Sequence, residues 1–154
     1  MTPPLRVRRA AGADLALLLP LCVEHADFER LPCAAPGRGD TLVAALDAVP
    51  PKLHAWVAEA GAQAVGYATA TLDFATLDAA HFLHLDCLYV REAWRGQGVG
   101  LRLWQAARDY GERQGCATMQ WQTPAWNVDA ARFYRRLGAI ERRKRRYVLP
   151  LAAD

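Results

Sequence analysis

Leu88-Tyr89-Val90-Arg91-Glu92-Ala93-Trp94-Arg95-Gly96-Gln97-Gly98-Val99-Gly100-Leu101 is the stretch on which the reading of this chain turns. A strand runs into a glycine-punctuated turn, and the turn runs directly into a helix. Glycines at 96, 98 and 100 strip side chains from the loop, so backbone N–H groups can approach an anion closely. The helix starting near Val99 adds its dipole and its first N–H groups at the same place. Arg95 can add a charged fork. In physical terms this is a pyrophosphate cradle. It is neither a P-loop, since no lysine lies between Lys52 and Lys144, nor a dinucleotide turn, since its spacing is G-x-G-x-G. The plain alternative is an ordinary glycine-rich β–α loop.

Working outward, His81 to Val90 reads as the strand that feeds this turn, and Val99 to Arg113 as the helix that leaves it, with Gly115 as its stop. Upstream, His54–Glu59 and Ala64–Leu72 read as two strands joined by a hairpin at Gly61-Ala62-Gln63. Leu5–Arg9 alternates like a half-buried strand. Asp14 is expected to cap a helix reaching Phe28, with Pro20 kinking or restarting it. Residues 31–40 read as a loop and Thr41–Ala48 as a short helix that Asp40 can cap. Downstream, Thr118–Thr123 reads as a strand, Val128–Leu137 as a helix ending at Gly138, and Ile140–Leu149 as the last strand or strands. This order predicts an α/β (α+β) fold with one mixed, mostly antiparallel sheet flanked by helices, in a single domain over residues 1–154.

Composition narrows the class. A chain of 154 residues with 53% hydrophobic and 23% charged residues can bury a core. No apolar run approaches a membrane span, and the first residues lack a signal-peptide pattern. Cys22, Cys33, Cys87 and Cys116 form no C-x-x-C pair, so neither a metal site nor a disulfide framework is signalled, and a reduced, cytoplasmic setting is expected. Charge is asymmetric. The net is +3, yet residues 132–146 carry eight bases against the single acid Glu141. The run Arg142-Arg143-Lys144-Arg145-Arg146 would suit nucleic acid. It lacks interleaved aromatics for stacking, however, and leads into Tyr147-Val148-Leu149, so a solvated strand edge or a phosphate contact is the better reading.

The segment Arg95–Gly100 resembles the Arg/Gln-x-x-Gly-x-Gly/Ala signature of GNAT acetyltransferases. A second segment, Asn127-Val128-Asp129-Ala130-Ala131-Arg132-Phe133-Tyr134-Arg135-Arg136-Leu137-Gly138-Ala139, is similar to that family's Asn-x-x-Ala-x-x-Phe-Tyr-x-x-x-Gly-Ala helix. The resemblance implies acetyl-CoA as cosubstrate and no metal. It places the pyrophosphate on the amides of Arg95, Gly96, Gln97, Gly98, Val99 and Gly100. Leu88 and Val90, with Tyr89 between them, would pair with the pantetheine arm like an added strand. Asn127 would contact the pantetheine or acetyl region, with Ala130 and Phe133 of the same helix as further cofactor-binding residues. Tyr134 would protonate the departing thiolate, and the Leu88 N–H would polarise the thioester carbonyl.

Within the family, Asp27–Pro32, Val65–Ala68 and Leu85–Val90 look most like diamine and thialysine acetyltransferases. There the last stretch usually reads Leu-Glu-Asp-Leu-Tyr-Val. Here Asp86 replaces the glutamate and Cys87 the aspartate. Asp86 is thus the expected general base, acting through water, and Glu29 the expected contact to a cationic substrate. His84, on the same strand face as Asp86 if the strand is regular, is a further substrate-side candidate. Cys87 reads as a small buried thiol rather than a nucleophile. A small-molecule amine is the expected partner, with no nucleic acid and no membrane, and a homodimer is what the resemblance implies. A fold of this kind that binds acyl-CoA without transfer is the rival to an enzyme.

Overall fold

The computed structural model describes residues 2–152. It divides into two compact units, Met1–Gln122 and Thr123–Asp154.

The first unit is built on a five-stranded sheet in the order β1-β2-β3-β4-β5. The strands are β1 (Leu5–Ala10), β2 (His54–Ala60), β3 (Gln63–Ala75), β4 (Ala80–Val90) and β5 (Thr118–Gln120). All neighbours are antiparallel except β4 and β5, which run parallel. This is the mixed, mostly antiparallel sheet expected from the order of elements. β2 and β3 meet through Gly61-Ala62, with Ala60 opposite Gln63 and Gly61 at φ +61°, as a two-residue hairpin loop starting on glycine requires. β3 and β4 extend beyond the apolar runs visible in sequence, into a second hairpin whose last pair is Ala75–Ala80.

Three helices flank the sheet: α1 (Leu15–Glu29), α2 (Gly39–Asp47) and α3 (Val99–Arg113). α1 continues through Pro20 as one helix rather than restarting there. Proline removes a single ladder bond, and the burial of Leu18 and Leu21 on either side outweighs it. Asp14 precedes α1 but its side chain makes no cap bond there. Instead it accepts the Ala11 N–H at 2.9 Å and two bonds from the Arg8 guanidinium. Asp40 likewise lies inside the first turn of α2 rather than at its cap. α3 ends as expected on Gly115, at φ +75°, with Cys116 N–H bonded to Gly111 O and Gly115 N–H to Glu112 O.

The two sheet faces are told apart by β3. A Cβ on Gly66 would meet Leu103 of α3, whereas the Tyr67 hydroxyl bonds to His25 of α1. Consecutive residues therefore serve opposite layers.

The second unit holds α4 (Val128–Arg136). Asn127 caps it, accepting the Ala130 N–H at 3.2 Å, and Gly138 at φ +88° closes it with Ala139 N–H on Tyr134 O. The terminal strand expected over Ile140–Leu149 does not form. Residues 140–152 adopt no regular structure and are exposed. Its apolar residues Ile140, Tyr147, Val148 and Leu149 stay exposed and no described strand pairs with it, so nothing offsets the ordering entropy of a strand.

Candidate active site

β4 and β5 pair for three residues only, Phe82–His84 with Thr118–Gln120. Beyond that point Leu85–Val90 pairs with β3 alone among the described residues. One edge of β4 is thus open along the Leu88-Tyr89-Val90 segment, a ready place for an extended chain to add by main-chain bonds.

That edge ends at the glycine turn. Gly96 and Gly98 lie at φ +74° and +81°, a conformation that favours glycine, and nothing lies within 4 Å of a Cβ built on either. Gly98 is the N-cap of α3, and its carbonyl accepts the Arg102 N–H at 3.1 Å. The first N–H groups of α3 (Val99, Gly100, Leu101) therefore stand beside an open, side-chain-free turn. Val99 is buried and anchors the first turn of α3 in the core. Gln97 donates to Ala93 O at 3.2 Å and braces the turn. The Arg95 side chain departs from the expected fork: its Nε donates to Val90 O at 2.8 Å. Its guanidinium lies over the rings of Phe28 and Tyr89, at 4.7 and 5.5 Å. A carbonyl and two aromatic faces together hold the cation there.

Asp86 occupies a β-bulge. Thr69 pairs with Cys87 and Ala70 with Leu85, so Asp86 has no opposite residue. A bulge re-aims the side chains that follow it. Ahead of it, Leu83 faces Gly111 of α3; after it, Tyr89 stacks on His25 of α1, with centroids 5.3 Å apart. Asp86 itself is exposed, with the Cys87 thiol 3.7 Å from its carboxylate. Burial, then the Asp86 charge, push the Cys87 thiol up to about 12, so it is a protonated thiol and a poor nucleophile.

Glu29 lies at the C-terminal end of α1, one turn below His25, and the two side chains are paired. The other imidazole nitrogen of His25 is 2.8 Å from the Tyr67 hydroxyl. His84 Nδ1 lies 3.9 Å from a carboxylate oxygen of Asp73 on the neighbouring strand. Arg91, just past β4, clamps Glu24 of α1 with three bonds of 2.8–3.1 Å and also donates to Ala64 O. This fixes α1 against the end of β4. His25, Tyr67 and the Glu24–Arg91 clamp were not singled out from sequence. The i,i+4 spacing of His25 and Glu29 was the only signal available; Tyr67 reads there as an ordinary strand residue.

In the second unit, the Asn127 Oδ1 is used as the cap of α4, so a ligand contact would fall to its NH2. Ala130 supplies the capped N–H, and the Phe133 and Tyr134 rings stand 5.4 Å apart. Among the described residues no cluster of metal-binding side chains occurs, and no helix is long and apolar enough to cross a membrane.

The β4 edge left unpaired beyond β5 leads to a glycine turn and the N-terminus of α3. The sequence matches the Acetyltransferase (GNAT) family over residues 24–139, and the chain belongs to that family of N-acetyltransferases. Among curated relatives, thialysine N-epsilon-acetyltransferase of Mus musculus is 27% identical over 142 residues, covering 87% of this chain and 83% of the relative. Among solved structures, an aminoglycoside acetyltransferase from an uncultured soil metagenomic sample, in complex with sisomicin, is 21% identical with a TM-score of 0.81. It covers 96% of this chain and 97% of its own. AAC(6')-Iy, in complex with the bisubstrate analog CoA-S-monomethyl-acetylneamine, is 22% identical with a TM-score of 0.79, covering 97% and 99%. These two establish a shared fold.

Proposed function

We propose that this enzyme moves an acetyl group from acetyl-CoA to a primary amine of a small cationic molecule of the polyamine or thialysine type, by direct attack in a ternary complex. The observation that carries the reading is the open edge of β4 ending on the left-handed Gly96 and Gly98 at the start of α3. The residues present fit the cosubstrate. An extended pantetheine arm needs main-chain partners, supplied by Leu88 and Val90; a pyrophosphate needs convergent N–H groups, supplied from Arg95 to Gly100. Bound there, acetyl-CoA supplies an activated acyl carbon.

The remaining work falls to side chains. Asp86, exposed on its bulge, accepts the proton of the incoming ammonium through water, which leaves the amine lone pair free to attack. The Leu88 N–H stabilises the oxyanion that develops on the carbonyl. Tyr134 gives its phenolic proton to the sulfur as the C–S bond breaks; this role rests on the Asn127–Ala139 resemblance. Glu29 receives the cationic end of the acceptor. We assign all of residues 1–154 to one transferase domain acting as a homodimer in a reducing cytoplasm.

The test is CoA release by the purified protein, with acetyl-CoA and a panel of spermidine, putrescine, lysine, thialysine, an aminoglycoside and a peptide amine. Turnover on spermidine or thialysine is the expected result. Turnover on the aminoglycoside or peptide alone would move the acceptor class. Acetyl-CoA binding without turnover on any amine would mark an acyl-CoA-binding domain.

A further inference from the structure

His25 is a half-buried imidazole with a partner on each nitrogen, and the transfer chemistry above makes no use of it. Glu29 has only acceptor oxygens, so the imidazole nitrogen facing it, Nε2, carries the hydrogen. Nδ1 then holds a lone pair and accepts the Tyr67 O–H at 2.8 Å. Tyr67 stays protonated because burial and the neighbouring Cys87 and Cys22 drive its ionisation far above the ordinary range. The imidazole is held flat by stacking on Tyr89, at an interplanar angle of 21°. Hydrogen bonds therefore run in one sense, Tyr67 to His25 to Glu29, from a hydroxyl in the core to a carboxylate at the helix end. A glutamate at a helix terminus otherwise samples several rotamers, and ordering it costs entropy on binding. His25 uses one carboxylate oxygen of Glu29 and leaves the second to a ligand.

We propose that His25 is a positioning residue for the acceptor: it fixes the Glu29 carboxylate so that its second oxygen receives the cationic end of a di- or polyamine. The identity of the ligand rests on the amine-transfer reading; the His25–Glu29–Tyr67 geometry does not. Asp86 acts electrostatically on the same imidazole from β4.

The experiment is a binding cycle on the full chain, read by calorimetry with spermidine and with thialysine, beside thermal melts of every variant. His25→Asn keeps a polar group opposite Tyr67 but falls short of Glu29; His25→Gln places an N–H at the Nε2 position. The expected result is a roughly tenfold weaker Kd for His25→Asn, as for a lost bond to a charged group. His25→Gln should lie near wild type. In a Glu29→Gln background, His25→Asn should cost less than about twofold, because its effect passes through Glu29. Equal losses in both backgrounds, unchanged affinity in His25→Asn, or no amine binding by the wild type would each overturn the proposal. Absent CoA release with the binding cycle intact would instead sink acetyl transfer alone.

Discussion

Leu83 and Tyr89 lie six residues apart on β4, an even spacing that puts both on one face of a regular strand, yet Leu83 packs on α3 and Tyr89 on α1. The extra residue at Asp86 accounts for the reversal. The bulge thereby sends Cys87 and Tyr89 into the α1 layer while leaving Asp86 at the surface. Asp86→Ala keeps the backbone insertion and is expected to melt close to wild type, while turnover falls at least a hundredfold, the scale of a lost general base. Deleting Asp86 should instead flip the following side chains and destabilise the fold. Comparing the two melts separates the chemical from the architectural role.

Tyr134→Phe removes one hydroxyl from α4. If that hydroxyl protonates the thiolate, kcat drops by roughly two orders of magnitude with the KM for acetyl-CoA nearly unchanged. Steady-state kinetics decide it, and an unaltered kcat would take Tyr134 out of the acid role.

Gly98 combines φ +81° with open space beside it. Gly98→Glu places a carboxylate at the anion cradle and forces a β-carbon into the left-handed region, at a backbone cost of about 1–2 kcal/mol. Acetyl-CoA binding measured by calorimetry should vanish while the folded state persists. Retained binding would mean that the cofactor lies elsewhere.

Cys87 is a thiol, not a thiolate, at neutral pH. Cys87→Ala should therefore retain kcat within a few-fold, and no acetyl-enzyme should accumulate when acetyl-CoA is mixed with wild type in the absence of amine. A covalent adduct at Cys87 by mass spectrometry would reverse that conclusion.

Two imidazoles set an acid limit. Burial lowers the His54 pKa, helped by Arg9, whose guanidinium lies 3.0 Å from Nδ1. Burial also lowers that of His25, against the pull of Glu29. A histidine depressed in the fold takes up its proton more readily when unfolded. The stability it contributes is complete above the ordinary value of about 6.5 and is lost as pH falls from there through the folded-state value. Melting temperature should be flat from pH 8 to 7 and decline below about 6.5. His54→Gln should soften that decline, and a Tm that rises on acidification would contradict the sign.

The local features of this protein were legible in its residues, because they are set over a few positions of chain. Gly96 and Gly98 stand where the backbone turns left-handed, Gly115 and Gly138 where helices stop, and the apolar periods of β2, β3, β4 and α3 mark their elements. From these came the mixed sheet and the glycine turn before α3, and from the two motifs the family. Tertiary structure alone decided the rest. The Asp86 bulge depends on how β3 and β4 register. The pairing of His25 with Tyr67 spans 42 positions and exists only because α1 lies across β3. The turn of Arg95 onto Phe28 and Tyr89, and the open edge of β4, likewise depend on neighbours distant in sequence. The terminal segment Ile140–Leu149 shows the converse: a strand needs a hydrogen-bonding partner as well as a favourable pattern, and no stretch of sequence carries its partner within itself.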